Sequence, residues 1–174
     1  FKKGEGPILE EYDPKKILAT KEVDAIKKFK PIYQAINQVK NKTKQNVIGF
    51  TGAPWTLLLY MLNKESPKKN FNFNLITKDK LLVNQLLEKL INIITFHIVK
   101  QIEAGADIIQ IFDSWAGLLP KKDLPNYCFN PTLEILQRVK KFGVPVICFP
   151  KDIKESYSDF CSIVKPDCIS IDYT

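Results

Sequence analysis

The residues best suited to chemistry follow short apolar runs that have the length and composition of buried strands. These runs cover residues 47–50, 108–112, 144–149 and 168–173. In α/β proteins the working groups gather beyond the carboxyl ends of the strands. The candidates at these positions are aromatic, hydroxyl, carboxylate and lysine residues with their turn neighbours: Phe50, Thr51, Gly52, Tyr60, Phe112, Asp113, Ser114, Trp115, Pro150, Lys151, Asp172 and Tyr173.

Each candidate also fits a structural role. Phe50 and Phe112 could be core residues, and Asp113 could cap the turn after its strand. Tyr60 lies among leucines and could anchor a buried helix face, whereas Lys151 could be a solvated loop charge.

Several kinds of site are not indicated by the sequence. No glycine-rich phosphate loop and no Cys-x-x-Cys pair occur, and His97, the single histidine, lies in a helical segment where packing explains it. A lone histidine without a second ligand at metal spacing predicts no metal site. We therefore expect no metal site.

Composition indicates a globular intracellular protein. The chain has 174 residues, 45% of them hydrophobic, and no run of eighteen apolar residues that would predict a membrane span. Its four cysteines suit a reducing cytoplasm, with Cys148 and Cys168 expected as buried thiols. The chain opens without Met or a signal sequence, as expected for the middle of a gene product.

The net charge of +7 does not by itself predict a nucleic-acid partner. Of the 26 basic residues only Arg138 is an arginine, the side chain that bidentate phosphate and guanine contacts favour. The lysines fall between apolar residues, as on solvated helix faces, although a basic surface for an acidic partner remains an alternative.

Helical spacing separates the apolar runs. Residues 1–20 are expected to be irregular, and Thr77 and Asn130 are expected to cap helices that end near Gly105 and Gly143. The predicted helices cover residues 20–42 with a break at Pro31, 55–62, 77–103, 130–143 and 153–164.

Alternation of helices with strands predicts an α/β fold. The strands are apolar throughout rather than alternating, which is typical of parallel strands covered on both faces. Four such units fit part of a (β/α)₈ TIM barrel or most of a doubly wound sheet. The stop after the fourth strand favours a partial barrel, because a whole one needs about 250 residues.

Two segments carry a family resemblance. The run from Gly49 to Met61, GFTGAPWTLLLYM, resembles the signature of uroporphyrinogen decarboxylase, and the run from Ala104 to Gly117, AGADIIQIFDSWAG, resembles a second block of that family. The order of the other segments agrees over essentially all of the chain. It is thus expected to form the central part of a single barrel domain, residues 1–174, about strands three to six, truncated at both ends.

The resemblance implies a function and a site. It implies a homodimeric (β/α)₈ enzyme that removes four acetate carboxyl groups from uroporphyrinogen III, giving coproporphyrinogen III for haem synthesis, without a cofactor. By motif position Tyr60 and Ser114 match substrate-contacting residues, and Phe50 and Phe112 match apolar residues lining the cleft. No nucleic acid or membrane partner is expected.

Other family features fall outside the chain. The arginine-rich motif, the essential aspartate and the C-terminal histidine are not in this sequence, so the catalytic residue is unknown and the fragment alone is expected to be inactive. After the tyrosine, Asn63-Lys64-Glu65 replaces the usual Glu-Gly-Gly, which puts the shape of that loop in question.

Two other functions compete with the decarboxylase. A barrel-superfamily corrinoid or thiol methyltransferase would need a zinc site with His and Cys, which the sequence does not offer. A non-catalytic basic binding module would need lysines gathered on one face with exposed aromatic residues.

Overall fold

The computed structural model describes residues 13–63 and 74–172. The helices of this part are α1 (Pro14–Ala19), α2 (Glu22–Lys27), α3 (Lys30–Lys42), α4 (Pro54–Asn63), α5 (Asn74–Lys78), α6 (Lys80–Glu103), α7 (Asn130–Val139) and α8 (Tyr157–Val164). The strands are β1 (Ile48–Gly52), β2 (Ile108–Asp113), β3 (Val146–Pro150) and β4 (Cys168–Ile169). The polar loop expected at 63–74 lies largely outside the described residues. The fourth strand is shorter than the predicted 168–173, because β4 pairs with β3 only at Cys168 and Ile169 and residues 170–172 are not in a strand, while Tyr173 lies outside the described residues.

The four strands form one parallel sheet in the order β1-β2-β3-β4. Sequential order is what a (β/α)₈ barrel requires, whereas a doubly wound sheet reverses direction at a switch point. The α/β assignment and the partial barrel are therefore confirmed over the described strands.

The helices lie on one face of the sheet and build the core there. α6 packs against β1, β2, α4 and α7, and α4 also packs against β2. The largest fully buried side chains come from these helices and from the sheet, among them Trp55, Leu58, Leu86, Ile94, Ile109 and Ile111.

The described helices cover only one face of the sheet, so the expectation of strands covered on both faces is met on that face alone within residues 13–63 and 74–172. Along β2 burial alternates, with Ile109, Ile111 and Asp113 buried and the residues between them half-buried. The other strands of the described sheet alternate too, and Phe50 on β1 remains 64% exposed. The uniformly apolar strands thus present one apolar face to the helices and a second, open apolar face away from them.

Several expectations about helix starts are wrong, each for a local reason. Residues 14–19 are helical, since the Asp13 carboxylate accepts the Lys15 N–H at 2.9 Å and Pro14 fits the first turn. Asp79, not Thr77, caps α6 and accepts the Leu82 N–H at 3.0 Å. Asn130 does not cap α7, because the turn Pro125–Phe129 runs directly into that helix.

The predicted helix ends agree better with the structure than the predicted starts do. α6 ends at Glu103, two residues before Gly105, whose φ of 106° suits glycine. The break near Pro31 is also confirmed, because α2 ends at Lys27 and α3 begins at Lys30 with the proline in its first turn.

Among the described residues, α6 is the one helix whose length and composition would suit a membrane span. The prediction of no span rested on a stricter pattern of uninterrupted apolar residues. One face of α6 packs into the core through Val83, Leu86, Leu90, Ile94 and Ile98, which accounts for its apolar composition. Its single histidine packs as expected: His97 Nδ1 lies 2.8 Å from the Tyr33 hydroxyl and the ring contacts Phe29.

The cysteine prediction is half right. Cys148 is buried beneath the helices, and this burial raises its thiol pKa to about 12. Cys168 is exposed, because β4 is the edge strand of the described sheet and no helix of the described residues covers that position.

The outer edge of β1 is closed by a side chain from α6. Because alternate residues of β1 direct their backbone groups away from β2, the Phe50 N–H and C=O need another partner. The buried Gln101 amide supplies both, accepting the N–H at 2.9 Å and donating to the carbonyl at 3.1 Å. The position of Phe50 on the open face is therefore fixed by a helix as well as by the sheet.

Candidate functional site

Three phenylalanine rings run across the open face of the sheet. The Phe50 and Phe112 rings have centroids 6.1 Å apart, and Phe112 and Phe149 are 6.2 Å apart, both pairs edge-to-face. Each ring comes from a different strand: Phe112 and Phe149 lie in register near the carboxyl ends of β2 and β3, whereas Phe50 is the central residue of β1. Edge-to-face contacts hold neighbouring rings in a defined orientation. We call Phe50, Phe112 and Phe149 the aromatic row.

Phe50 is 64% exposed and the other two rings are half-buried, and apolar rings clustered on an open sheet face mark a surface that binds a ligand or another part of a protein. In a barrel the open face of the sheet would be the interior, and its upper layer, at the carboxyl ends, would form the floor of a site. Phe112 and Phe149 occupy that layer, and Phe50 contacts it from the middle of β1.

Hydroxyl and indole groups stand beside the row, after β2. Ser114 is half-buried and follows Asp113 directly. The Tyr60 ring, from α4, contacts the Trp115 ring edge-to-face, with centroids 6.4 Å apart. The structure therefore brings Tyr60 to the same edge as Ser114, although their role in substrate binding stays a prediction.

A buried hydrogen-bond network joins β2 to α4 beneath these residues. The Thr56 hydroxyl donates to Asp113 Oδ1 at 2.7 Å and accepts the Trp115 N–H at 3.3 Å. The Trp55 indole N–H donates to the Trp115 carbonyl at 2.9 Å. Thr56 and Tyr60 are four residues apart and lie on one face of α4. Trp115, in the turn after β2, therefore contacts both of them. We call Asp113, Thr56, Trp55 and Trp115 the β2–α4 clamp.

Asp113 points into the helix layer and not into the open face. It is only 3% exposed, and this burial raises the pKa of its carboxyl group to about 6, against the opposing effect of the hydrogen bond from Thr56. Of the two roles open to Asp113 in the sequence, the structure favours the structural one. It holds the turn that carries Ser114 and Trp115.

The third and fourth strand ends supply Lys151 and Asp172. The Asp172 carboxylate accepts the Tyr157 hydroxyl and the Asp152 N–H, the latter at 2.7 Å. Burial alone would raise the pKa of Asp172, but these hydrogen bonds and the charge of Lys151 lower it overall. Asp172 therefore orders the loop after β3 as an acceptor. Tyr173 lies outside the described residues.

No group of three or more His, Cys, Asp or Glu side chains that could hold a metal ion occurs within residues 13–63 and 74–172.

Comparison with known proteins assigns the family. The sequence model of uroporphyrinogen decarboxylase (URO-D) matches residues 1–174. The chain belongs to the uroporphyrinogen decarboxylase family. The structure agrees, since its sequential parallel strands are consistent with part of that family's TIM barrel.

The curated relatives carry the same name. The chain is 33% identical to the uroporphyrinogen decarboxylase of Rickettsia bellii and 32% identical to that of Rickettsia canadensis, each over 178 aligned residues. These alignments cover 99% of this chain and 52% of each relative. The chain therefore spans about half the length of the curated relatives it matches.

Sequence reasoning missed two residues of this candidate site. Phe149 was not among the candidates, yet it closes its apolar run as Phe50 and Phe112 close theirs, and that repeated terminal phenylalanine was a usable signal. Thr56 gave no comparable signal, because its partners Asp113 and Trp115 are 57 and 59 residues away in the chain.

The buried Asp113 carboxyl group predicts a pH-dependent stability. Its folded pKa of about 6 lies above the ordinary value of 3.8, so the folded state binds this proton more tightly than the unfolded state. This contribution to the free energy of unfolding is complete below about pH 4 and falls, by up to about 3 kcal/mol, as the pH rises to about 6. Asp113→Asn should abolish that part of the slope in urea unfolding from pH 4 to 7.

The matched control is Asp159→Asn, which removes an exposed carboxylate on α8. It should retain the wild-type slope. An Asp113→Asn protein with an unchanged pH profile would show that the carboxyl group is not buried in this way.

Proposed function

We propose that this chain forms the central part of a single (β/α)₈ barrel that decarboxylates uroporphyrinogen III to coproporphyrinogen III, in the cytoplasm and as a homodimer. The match of the URO-D family to residues 1–174 carries the proposal. The aromatic row supports it, because a porphyrinogen is a large, largely apolar macrocycle with carboxylates around its rim.

The chemistry needs few functional groups. Protonation of the pyrrole α-carbon next to the carbon that carries the acetate makes the ring an electron sink, and the C–C bond to the carboxylate then breaks with loss of CO₂. The electron pair of that bond forms an exocyclic methylene, which takes up a proton to become the methyl group, and loss of the proton from the α-carbon restores the pyrrole. No electrons are gained or lost overall and the pyrrole is itself the electron sink, so the reaction is written without a cofactor.

The residues of this chain would bind and orient the macrocycle. In the proposed complex Phe50 and Phe112 contact the macrocycle, while the Tyr60 and Ser114 hydroxyls donate to its carboxylates. Fixed groups that stabilise charge only as it develops give the largest rate gains. The acidic group that stabilises the cationic ring belongs, by family resemblance, to a segment outside this chain.

The direct test uses a full-length polypeptide that carries this sequence. Incubated anaerobically with uroporphyrinogen III, it should release four CO₂ per macrocycle through partly decarboxylated intermediates, followed by chromatography of the oxidised porphyrins. EDTA should leave the rate unchanged. Recovery of the octacarboxylate alone would contradict the proposed reaction, and reversible inhibition by EDTA would contradict its cofactor independence. The 174-residue chain alone should be inactive.

The hydroxyl groups can be tested separately. Tyr60→Phe and Ser114→Ala each remove one hydrogen bond to a charged group, so kcat/KM should fall by about ten- to a hundredfold, equal to roughly 1–3 kcal/mol. The pair is expected to be non-additive if both hydroxyls bind one carboxylate. Ser162→Ala, which removes an exposed hydroxyl on α8, is the control. Wild-type kinetics in both site variants would place the cleft elsewhere.

A further inference from the structure

Lys151 is a cationic residue at the carboxyl edge of the described sheet and has no role in the proposed mechanism. It follows the last residue of β3 and is exposed. Within residues 13–63 and 74–172, Lys151 is the cationic side chain that directly follows a strand, and it forms no ion pair there.

Two hydrogen bonds fix the backbone of Lys151, whereas its side chain is exposed. Its N–H donates to the Asp113 carbonyl at 3.1 Å, and its carbonyl accepts the Gly117 N–H at 2.9 Å. A Cβ on Gly117 would lie 2.6 Å from the Asp152 carbonyl oxygen, so only glycine permits this approach. The loop after β2 is thus packed directly on the loop after β3.

The first of these bonds also sets the direction of the Lys151 side chain. It continues the parallel ladder between β2 and β3 by one step, so Lys151 keeps the alternation of its strand. Ile147 and Phe149 lie on the open face, and Lys151 follows on the same face. Its Cα lies roughly 6–7 Å beyond that of Phe149, given a rise of about 3.3 Å per residue.

The neighbouring Asp172 carboxylate does not form an ion pair with the Lys151 ammonium group. Both Asp172 oxygens are engaged, one by the Tyr157 hydroxyl and the other by the Asp152 N–H. Lys151 lies close enough to contribute to the lowered pKa of Asp172, yet the two side chains form no ion pair. The ammonium group keeps its donors available to a ligand.

We propose that the Lys151 ammonium group binds a substrate carboxylate at the rim of the aromatic row. The inference rests on the proposed function, since it takes the acidic macrocycle as the ligand. Apolar rings bind the body of such a ligand, and a cation one step beyond the last ring reaches its charged rim. A fixed backbone with a long flexible side chain allows Lys151 to follow carboxylates at slightly different positions.

The test compares charge variants in the full-length polypeptide. Lys151→Met should raise KM for uroporphyrinogen about tenfold with kcat nearly unchanged, as expected for a lost charge-assisted contact. Lys151→Arg should stay within about threefold of wild type. Lys154→Met removes an equal charge from the same loop and should behave as wild type. Should Lys151→Met fold poorly, Lys151→Gln replaces it.

A second readout separates this inference from the proposed function. Uroporphyrin I, the oxidised octacarboxylate, is titrated against each protein by fluorescence quenching, which needs no turnover. Lys151→Met should weaken its Kd about tenfold and reduce the salt dependence of binding.

The outcomes then divide cleanly. Active wild-type enzyme with an unchanged Lys151→Met variant overturns the role of Lys151 and leaves the function standing. Inactive wild-type protein that binds uroporphyrin through Lys151 overturns the reaction but supports the carboxylate site. Equal losses in Lys151→Met and Lys154→Met, or no binding by any variant, overturn the inference.

Discussion

The buried hydrogen bond between Thr56 and Asp113 is the interaction on which the arrangement of the site depends. It joins the first turn of α4 to the end of β2, and the same Thr56 hydroxyl accepts the Trp115 N–H. An unpaired carboxylate in this layer would be costly, so the pairing is strongly enforced. With it in place, Ser114 follows β2 in a fixed turn and Tyr60 contacts Trp115.

The open face of the sheet is the second constraint. A sheet with apolar residues on both faces needs both faces covered, and the described helices cover only one. The aromatic row lies on the other, open face, which corresponds to the interior of a barrel. Lys151 and the hydroxyls lie beyond that row, so the apolar and polar parts of the site follow from the alternation of side chains along the strands.

The sequence was sufficient for the architecture because the strands and helices differ clearly in pattern. Short apolar runs such as 108–112, separated by helical spacing, predicted parallel strands in sequential order, and the structure confirms them. The family also followed from local sequence, because its two most telling blocks are continuous. The helix starts were less predictable: Asp79, rather than nearby Thr77, caps α6, and Asp13 caps a short helix in a segment expected to be irregular.

The site was only partly predictable for a similar reason. Residues at strand ends, such as Phe112 and Ser114, were found because position along a strand implies position in a barrel. The orientation of Asp113 and its pairing with Thr56 depend on contacts between distant segments, and spacing along the chain does not encode these. The exposure of Cys168 depends equally on which elements cover the sheet edge.

The most direct measurement is a double-mutant cycle between Thr56 and Asp113. Thr56→Val is nearly isosteric and Asp113→Ala removes the carboxylate without adding volume, and urea unfolding gives the free energy of unfolding of the wild type, both single variants and the double variant. If the hydrogen bond is the central connection, the coupling energy should be about 1–3 kcal/mol. A coupling energy within about 0.3 kcal/mol of zero would contradict the account, because the two residues would then stabilise the fold independently.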